Sequence, residues 1–290
     1  MDIEKLRTFI EVMSAGSFSG AAAIINISQS SISKHIRSLE DEFGVELFVR
    51  RNAKAFPTAA AELLCRYVEP LVDEYDNIRR YMHEYKTNTK IFTLCSTLPV
   101  ANYGIQKIIN TFASERPGIM PKVDEYERDG FRRLRAKTAD ILLFWSHEDL
   151  EINEEKILSY RFGTERRVVV VGDGHPLALL DVISINELEG YPMRQLESSR
   201  SNTAIIDLIK TSPDVQYYVN IPPIAESLSD NISFSILNKQ AVSYFKFPWL
   251  RFIEIADETN IALYIACLAE RSESKLIRDF REYFLQNYVR

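Results

Sequence analysis

Ser28-Gln-Ser-Ser-Ile-Ser-Lys-His-Ile-Arg-Ser-Leu39 decides how the first part of this chain folds. Ile32, Ile36, Leu39 and Phe43 recur at spacings of four, three and four, which puts them on one buried face of a helix. Gln29, Ser30, Ser33, Lys34 and Arg37 fall on the other face, which carries hydroxyls, an amide and cations but no acid. A face of that kind suits the floor of a DNA major groove, where base edges and phosphates are rich in acceptors. Taken alone, a solvated polar helix face accounts for it equally well. Ser28 is a good N-cap, and Ile27 with Ile32 fits the hydrophobic staple that fixes how a chain enters a helix.

Working outward, residues 2–15 read as a first helix. Asp2 caps it, and Ile3, Leu6, Phe9, Ile10 and Met13 form an apolar stripe. Ala15-Gly16-Ser17 breaks it. Ser19 is expected to cap a second helix, Gly20 to Ile25, rich in small residues, and Asn26-Ile27 turns the chain into the third. Three short helices with a tight turn before the third make a helix-turn-helix. Gly44 ends the third helix as a C′ glycine. Val45 to Thr58 then reads as a two-stranded wing whose basic tip, Arg50, Arg51 and Lys54, suits phosphate or the minor groove.

The whole chain has 290 residues, 46% hydrophobic and 26% charged, an ordinary globular composition with length for two or three domains. No apolar run approaches the roughly 20 residues of a membrane span, so no membrane partner is expected. The N-terminus opens directly into amphipathic helix, which argues against a signal peptide. Cys65, Cys95 and Cys267 lack metal or disulfide spacing, and a reducing cytoplasm is the expected compartment. The net charge of −6 argues against a chain coated in nucleic acid. Residues 1–58, however, hold seven basic and seven acidic residues that segregate into local patches, as a site-specific binder requires.

Leu6-Arg7-x-Phe9, Gly16-Ser17-Phe18-Ser19-x-Ala21-Ala22 and the near-continuous run from Ile27 to Arg50 together resemble the N-terminal domain of LysR-type transcriptional regulators. Where that family usually writes Leu-Thr-x-Ala-Gly after the wing, this chain writes Phe56-Pro57-Thr58-Ala59-Ala60-Ala61. The resemblance implies a winged helix-turn-helix over 1–58 that binds double-stranded promoter or operator DNA. Its expected contacts are Gln29, Ser30, Ser33, Lys34 and Arg37 in the groove, with Arg50, Arg51 and Lys54 on the backbone.

Residues 59–90 read as a long linker helix with its exit loop. Leu64, Val68, Leu71, Tyr75, Ile78, Met82 and Tyr85 alternate spacings of four and three, a seven-residue seam that marks helix pairing. Pro70 lies inside it and removes one hydrogen bond; the seam continues past it in register, so a kink is expected and not a stop. The resemblance identifies this helix as the family's dimerising linker, and implies a homodimer or tetramer, with RNA polymerase as a further partner.

From Ile91 the pattern alternates strand and helix, which means a mostly parallel sheet. Strands are expected at 91–95, 122–126, 140–144, near 156–162 and 166–171, and at 192–196, 215–219, 232–237, 250–255 and 261–268. Helices are expected at 99–115, 129–136, 201–210, 224–229 and 273–288. This half resembles the family's two-lobed effector domain, similar to periplasmic binding proteins, through His175-Pro-Leu-Ala178 and Ala139-Asp140-Ile141. The expected division is lobe I over 91–161 and 268–290 and lobe II over 162–267.

In open α/β sheets ligands bind beyond the carboxyl ends of strands. Ser96 and Thr97 follow the first strand, and Ser198 and Ser199 follow the strand at 192–196; the resemblance puts the family's inducer contacts there. Tyr126 and Phe144 lie at two other strand ends, and Glu197 and Arg200 would set the polarity of a small-molecule effector cleft. Ordinary capping by Ser and Thr accounts for these residues without a ligand. Cys95 and Cys267 are expected as buried small apolar side chains, near neighbours in lobe I. The histidines His35, His83, His147 and His175 show no ligand spacing. No phosphate loop, Gly-x-Ser-x-Gly or Gly-x-Gly-x-x-Gly is present, so no cofactor, metal or catalytic set is expected. The competing reading is a solute-binding or enzymatic α/β protein whose N-terminal helices serve only assembly.

Overall fold

Asp2, Ser17, Ser28 and Thr58 each accept a backbone N–H through the side chain, at 3.0, 3.0, 3.1 and 3.2 Å. Those four caps start α1 (Ile3–Ala15), α2 (Phe18–Ile25), α3 (Gln29–Phe43) and α4 (Ala59–Thr87) in a computed structural model of the chain. The structure describes residues 2–51, 54–125, 129–147, 155–196, 210–256 and 260–288; the side chains of Arg50, Arg51 and His147 lie outside the described set. The four helices end at Gly16, Asn26, Gly44 and Asn88, all in the left-handed region that glycine and asparagine tolerate. The second helix begins two residues earlier than the expected Ser19 cap, because Ser17 is extended and its hydroxyl takes the Gly20 amide.

Leu6, Phe9, Ile32, Ile36, Leu39 and Leu47 form the centre of the first core, all essentially sealed from solvent. Each such side chain contributes roughly 1.5–3 kcal/mol. Phe43, expected on this face, is 41% exposed in the last turn before the Gly44 cap. The wing pairs β1 (Phe48–Arg51) with β2 (Lys54–Pro57) antiparallel, with Val49 opposite Phe56. Alternation turns Phe48 and Ala55 inward and leaves Val49 and Phe56 exposed. The Phe48 ring meets those of Phe9 and Phe18 at 5.7 and 5.9 Å.

The helix α4 is continuous through Pro70. Its apolar residues divide between two tasks, which changes the expected seam. Leu64, Val68 and Val72 pack on the first core. Leu63, Tyr67, Leu71, Tyr75, Ile78, Met82 and Tyr85 are exposed. At about 100° per residue, these seven fall within roughly one third of the helix circumference.

Residues 90–134 and 139–290 form the second unit, separate from the first. Its strands are β3 (Lys90–Ser96), β4 (Ile119–Glu125), β5 (Ile141–His147), β6 (Ile157–Glu165), β7 (Arg167–Gly172), β8 (Val182–Ile183), β9 (Met193–Leu196), β10 (Val215–Tyr218), β11 (Phe234–Asn238), β12 (Leu250–Ile255) and β13 (Ile261–Leu268). They make two sheets, ordered β4-β3-β5-β13-β6 and β10-β9-β11-β7-β12-β8. Both are mostly parallel, with one strand reversed in each: β13 runs antiparallel to β5 and β6, and β7 antiparallel to β11 and β12. The helices are α5 (Ile105–Ser114), α6 (Gly130–Arg135), α7 (Ile221–Ser227), α8 (Lys239–Ser243) and α9 (Lys275–Asn287). The helix expected over 99–115 is split at Gly104, whose φ of 71° ends a 3-10 turn at Val100–Tyr103 before α5 begins. The helix expected over 201–210 falls almost wholly outside the described residues. The short β8 and α8 carry no sequence signal of their own.

The lobe boundaries move. Residues 162–165 and 261–267 complete β6 and β13 in the first sheet, so the chain passes to the second sheet between Glu165 and Arg167 and returns after Ile255. The cause is pairing: β13 needs a partner over its whole length and finds it in β6 from Glu165 to Ile157. One core spans both sheets through Phe92, Leu94, Val168, Val170, Ile224 and Phe280. Cys95 and Cys267 are buried as expected but are not neighbours. Cys95 packs with Leu142 and Ala266 under α6, while Cys267 faces the opposite core with Ile265 and Leu143. Burial pushes the Cys267 thiol up, outweighing Arg281.

Candidate functional site

The polar face of α3 is built as its spacing requires. Gln29, Ser30, Lys34 and Arg37 are exposed and Ser33 is half-buried, on the side away from Ile32, Ile36 and Leu39. The Ser28 hydroxyl lies 2.8 Å from those of Ser30 and Ser31 and accepts the Ser31 amide, so one short network fixes the first turn. The wing is tied to the same helix from its other end. Glu40 Oε1 accepts from the amides of Leu47 at 2.8 Å and Phe48 at 3.3 Å. Glu40, one of four acids that lie between the two basic patches in the sequence, therefore ties the helix to the start of the wing. At the wing tip Arg51 is registered opposite Lys54 and Arg50 opposite Ala55; Lys54 is exposed.

Two further bonds reach α3 from α1, and nothing in the sequence periodicity marks them. Thr8 Oγ1 lies 2.8 Å from His35 Nδ1, and Lys5 Nζ donates to Ser38 Oγ at 2.8 Å. Farther out, Arg7 pairs with Asp76 of α4.

In the second unit the carboxyl ends of β3, β4, β5 and β6 share one edge of the first sheet. Ser96 and Thr97 sit there with different chemistry. Ser96 is fully buried; its Oγ donates to Leu98 O at 2.8 Å and accepts the Leu98 amide at 3.0 Å, so it builds the turn and its one proton is already committed. Thr97 donates its amide to Leu143 O, and its hydroxyl is buried without a hydrogen-bond partner among the described residues. Phe144 departs from expectation. It stacks on Tyr264 at 5.3 Å and meets Phe131 edge-on at 4.9 Å, buried under α6, so it does not line an open cleft. Tyr126, Glu197, Ser198, Ser199 and Arg200 lie outside the described residues.

The passage between the sheets is polar and partly buried. Asn238 Nδ2 donates to Tyr103 Oη at 3.1 Å, Gln240 Nε2 donates to Tyr288 Oη at 3.1 Å, and Glu165 accepts the amides of Arg166 and Gln240. Burial, reinforced by the Glu165 charge, pushes the Tyr103 phenol up and keeps it protonated. Gln195 of β9 is fully buried; its Oε1 accepts from Ser235 Oγ and Ile236 N at 3.4 Å, and its Nε2 is unpartnered among the described residues. These groups come from residues distant in sequence, so no local motif announces them. Among the described residues no three His, Cys, Asp or Glu side chains are grouped to hold a metal, and no helix is long and apolar enough to cross a membrane.

Residues 3–62 match the family model described as bacterial regulatory helix-turn-helix protein, lysR family, and residues 87–288 match the LysR substrate binding domain. The HTH-type transcriptional regulator SsuR of Burkholderia cenocepacia is 25% identical over 228 residues, 74% of this chain and 71% of that protein. The HTH-type transcriptional regulator cbl of Escherichia coli is 26% identical over 175 residues, 59% of this chain and 54% of that protein. Among solved structures, CbnR, a LysR family transcriptional regulator, superposes with a TM-score of 0.58 at 16% identity over the whole of both chains. Full-length BenM superposes with a TM-score of 0.55 at 20% identity, covering 99% of this chain and 97% of the other. With a capped reading helix whose polar face is open in the first unit, a two-sheet substrate-binding fold in the second, and family models matching both, this chain belongs to the LysR family of DNA-binding transcriptional regulators.

Proposed function

We propose that this regulator reads operator DNA with a pair of α3 helices and responds to a small molecule held between the two sheets of its second unit. The observation that carries the reading is the exposed face of α3, where Gln29, Ser30, Ser33, Lys34 and Arg37 together present donors and cations. Gln bonds adenine in a bidentate way, and Lys and Arg favour guanine or phosphate. The wing cations Arg50, Arg51 and Lys54 add contacts to the backbone. Two copies pair through the exposed stripe of α4, which supports a dimer whose half-sites lie about one helical turn apart or a multiple of it. A tetramer and a contact with RNA polymerase extend the same reading, and the cytoplasm is its compartment.

For the effector, Thr97 offers a buried hydroxyl at the carboxyl edge of the first sheet, and the polar passage from Tyr103 and Glu165 to Asn238 and Gln240 is the place where lobe movement would be felt. An effector shifts the regulator only by its different affinity for two arrangements of the lobes. A gel-shift titration of the full chain with DNA from upstream of its own coding region tests the function. Saturable binding that outlasts excess unrelated DNA supports the reading, and equal affinity for both DNAs overturns it.

A further inference from the structure

We infer that His35 is a positioning residue for the reading helix, held by Thr8 as its Nδ1–H tautomer, and that sequence discrimination depends on this bond. The inference rests on the DNA-binding reading above. Thr8 of α1 is 1% exposed, and its hydroxyl has one proton and two neighbours: Glu4 O at 2.9 Å and His35 Nδ1 at 2.8 Å. If the proton pointed at the imidazole, two oxygen lone pairs would face each other at 2.9 Å. Donation to Glu4 O removes that repulsion and leaves Thr8 Oγ1 to accept, so Nδ1 carries the imidazole proton. The hydrogen bond at one ring nitrogen sets the tautomer.

The bond matters because of where it sits on α3. His35 follows Lys34 by about 100° around the helix, toward α1 and away from the groove face. The rest of the α3 attachment is largely apolar, through Ile32, Ile36 and Leu39, and apolar contacts fix depth better than rotation. Directional bonds cross from α1 to α3 at Thr8 with His35 and at Lys5 with Ser38. A side-chain tip about 6 Å from the helix axis moves by about 1 Å when the helix turns by about 10°. Base-edge hydrogen bonds tolerate only about 0.5 Å in length. Phosphate contacts by long flexible cations tolerate more. Loss of the Thr8–His35 bond should therefore cost sequence discrimination and leave general affinity in place.

The test compares wild type with Thr8→Val, His35→Phe and His35→Gln, each as the full chain. Gln keeps an N–H that reaches Thr8. The readouts are affinity for the wild-type operator and for scrambled DNA at one salt concentration, the salt slope on scrambled DNA, and the thermal midpoint. Thr8→Val and His35→Phe are expected to lower the operator-to-scrambled ratio about tenfold, the equivalent of one hydrogen bond, with salt slope and scrambled affinity unchanged. His35→Gln is expected to restore most of the ratio. Long-range nitrogen-15 spectra of the wild type at neutral pH are expected to show the proton on Nδ1 of His35, and Thr8→Val to move it to Nε2. A wild type that does not discriminate operator from scrambled DNA overturns the DNA-binding reading itself. A wild type that discriminates, with the ratio unchanged in Thr8→Val and His35→Phe or with Nε2 protonated, overturns the positioning role.

Discussion

The carboxylate of Glu40, near the end of the reading helix, accepts the backbone amide of Leu47 at 2.8 Å at the entrance to the wing. A single side chain thus ties together the helix and the wing, the two elements proposed to meet one DNA duplex. Replacing it leaves two amides, of Leu47 and Phe48, without their acceptor in a partly buried place. Glu40→Ala is expected to destabilise the first unit by about 1–3 kcal/mol, and Glu40→Gln by less, because an amide oxygen still accepts. Thermal unfolding of both variants checks the order; equal midpoints for wild type and Glu40→Ala would remove the anchor.

The proposed pairing through α4 makes a second prediction. Tyr67 and Ile78 lie on the exposed stripe, well clear of the core that Val68 and Val72 complete. A joint Tyr67→Glu and Ile78→Glu change is expected to raise the dimer dissociation constant at least about a hundredfold, since each apolar side chain contributes roughly 1.5–3 kcal/mol when covered. Sedimentation velocity reads the outcome. A variant that sediments as wild type would assign pairing to another surface.

His175 predicts a pH dependence. Its Nδ1 accepts the Leu177 amide at 3.0 Å, which only an imidazole unprotonated at Nδ1 does, and burial holds its pKa below the ordinary 6.5. The unfolded chain therefore takes up this proton first. The stability it contributes is present above about pH 6.5 and is lost as pH falls through the lowered folded value. His175→Asn keeps an acceptor and removes the titration. Between about pH 7.5 and 5.5, a span that brackets the ordinary histidine pKa, the urea midpoint of the wild type is expected to fall further than that of the variant. Parallel falls would assign the acid sensitivity elsewhere.

The effector cleft is tested through Thr97. A small metabolite present at about a hundred times its dissociation constant stabilises the second unit by about 2.7 kcal/mol. A thermal-shift screen is expected to find such a ligand, and Thr97→Val to reduce the shift. A ligand whose shift survives Thr97→Val intact would sit away from that hydroxyl.

The first unit was legible because its instructions are local. Asp2, Ser28 and Gly44 mark helix ends through backbone geometry, and Ile32, Ile36 and Leu39 mark a core by spacing alone. Ser17 took the capping role expected of Ser19 because two serines two residues apart both satisfy the sequence rule, and the extended backbone at Ser17 decides between them. The seam of α4 was legible as a pattern but not in its division, since Val68 serves a core in its own chain and Tyr67, one residue away, is 71% exposed. In the second unit the strands were visible and the sheets were not. Glu165 ends the first sheet because it pairs with Ile261, a partner almost a hundred residues on. Ser96 and Thr97 look alike in sequence; only the turn at Leu98 uses up one hydroxyl and leaves the other unused.

Whether the exposed polar face of α3 meets DNA is measured most directly by fluorescence anisotropy over a salt series, with DNA from upstream of the chain's own coding region. Changing both Lys34 and Arg37 to Ala is expected to weaken binding. The same change is expected to reduce the slope of log affinity against log salt by about one for each phosphate left without its cation. An unchanged affinity and an unchanged slope in that double variant would contradict the assignment of this face to DNA.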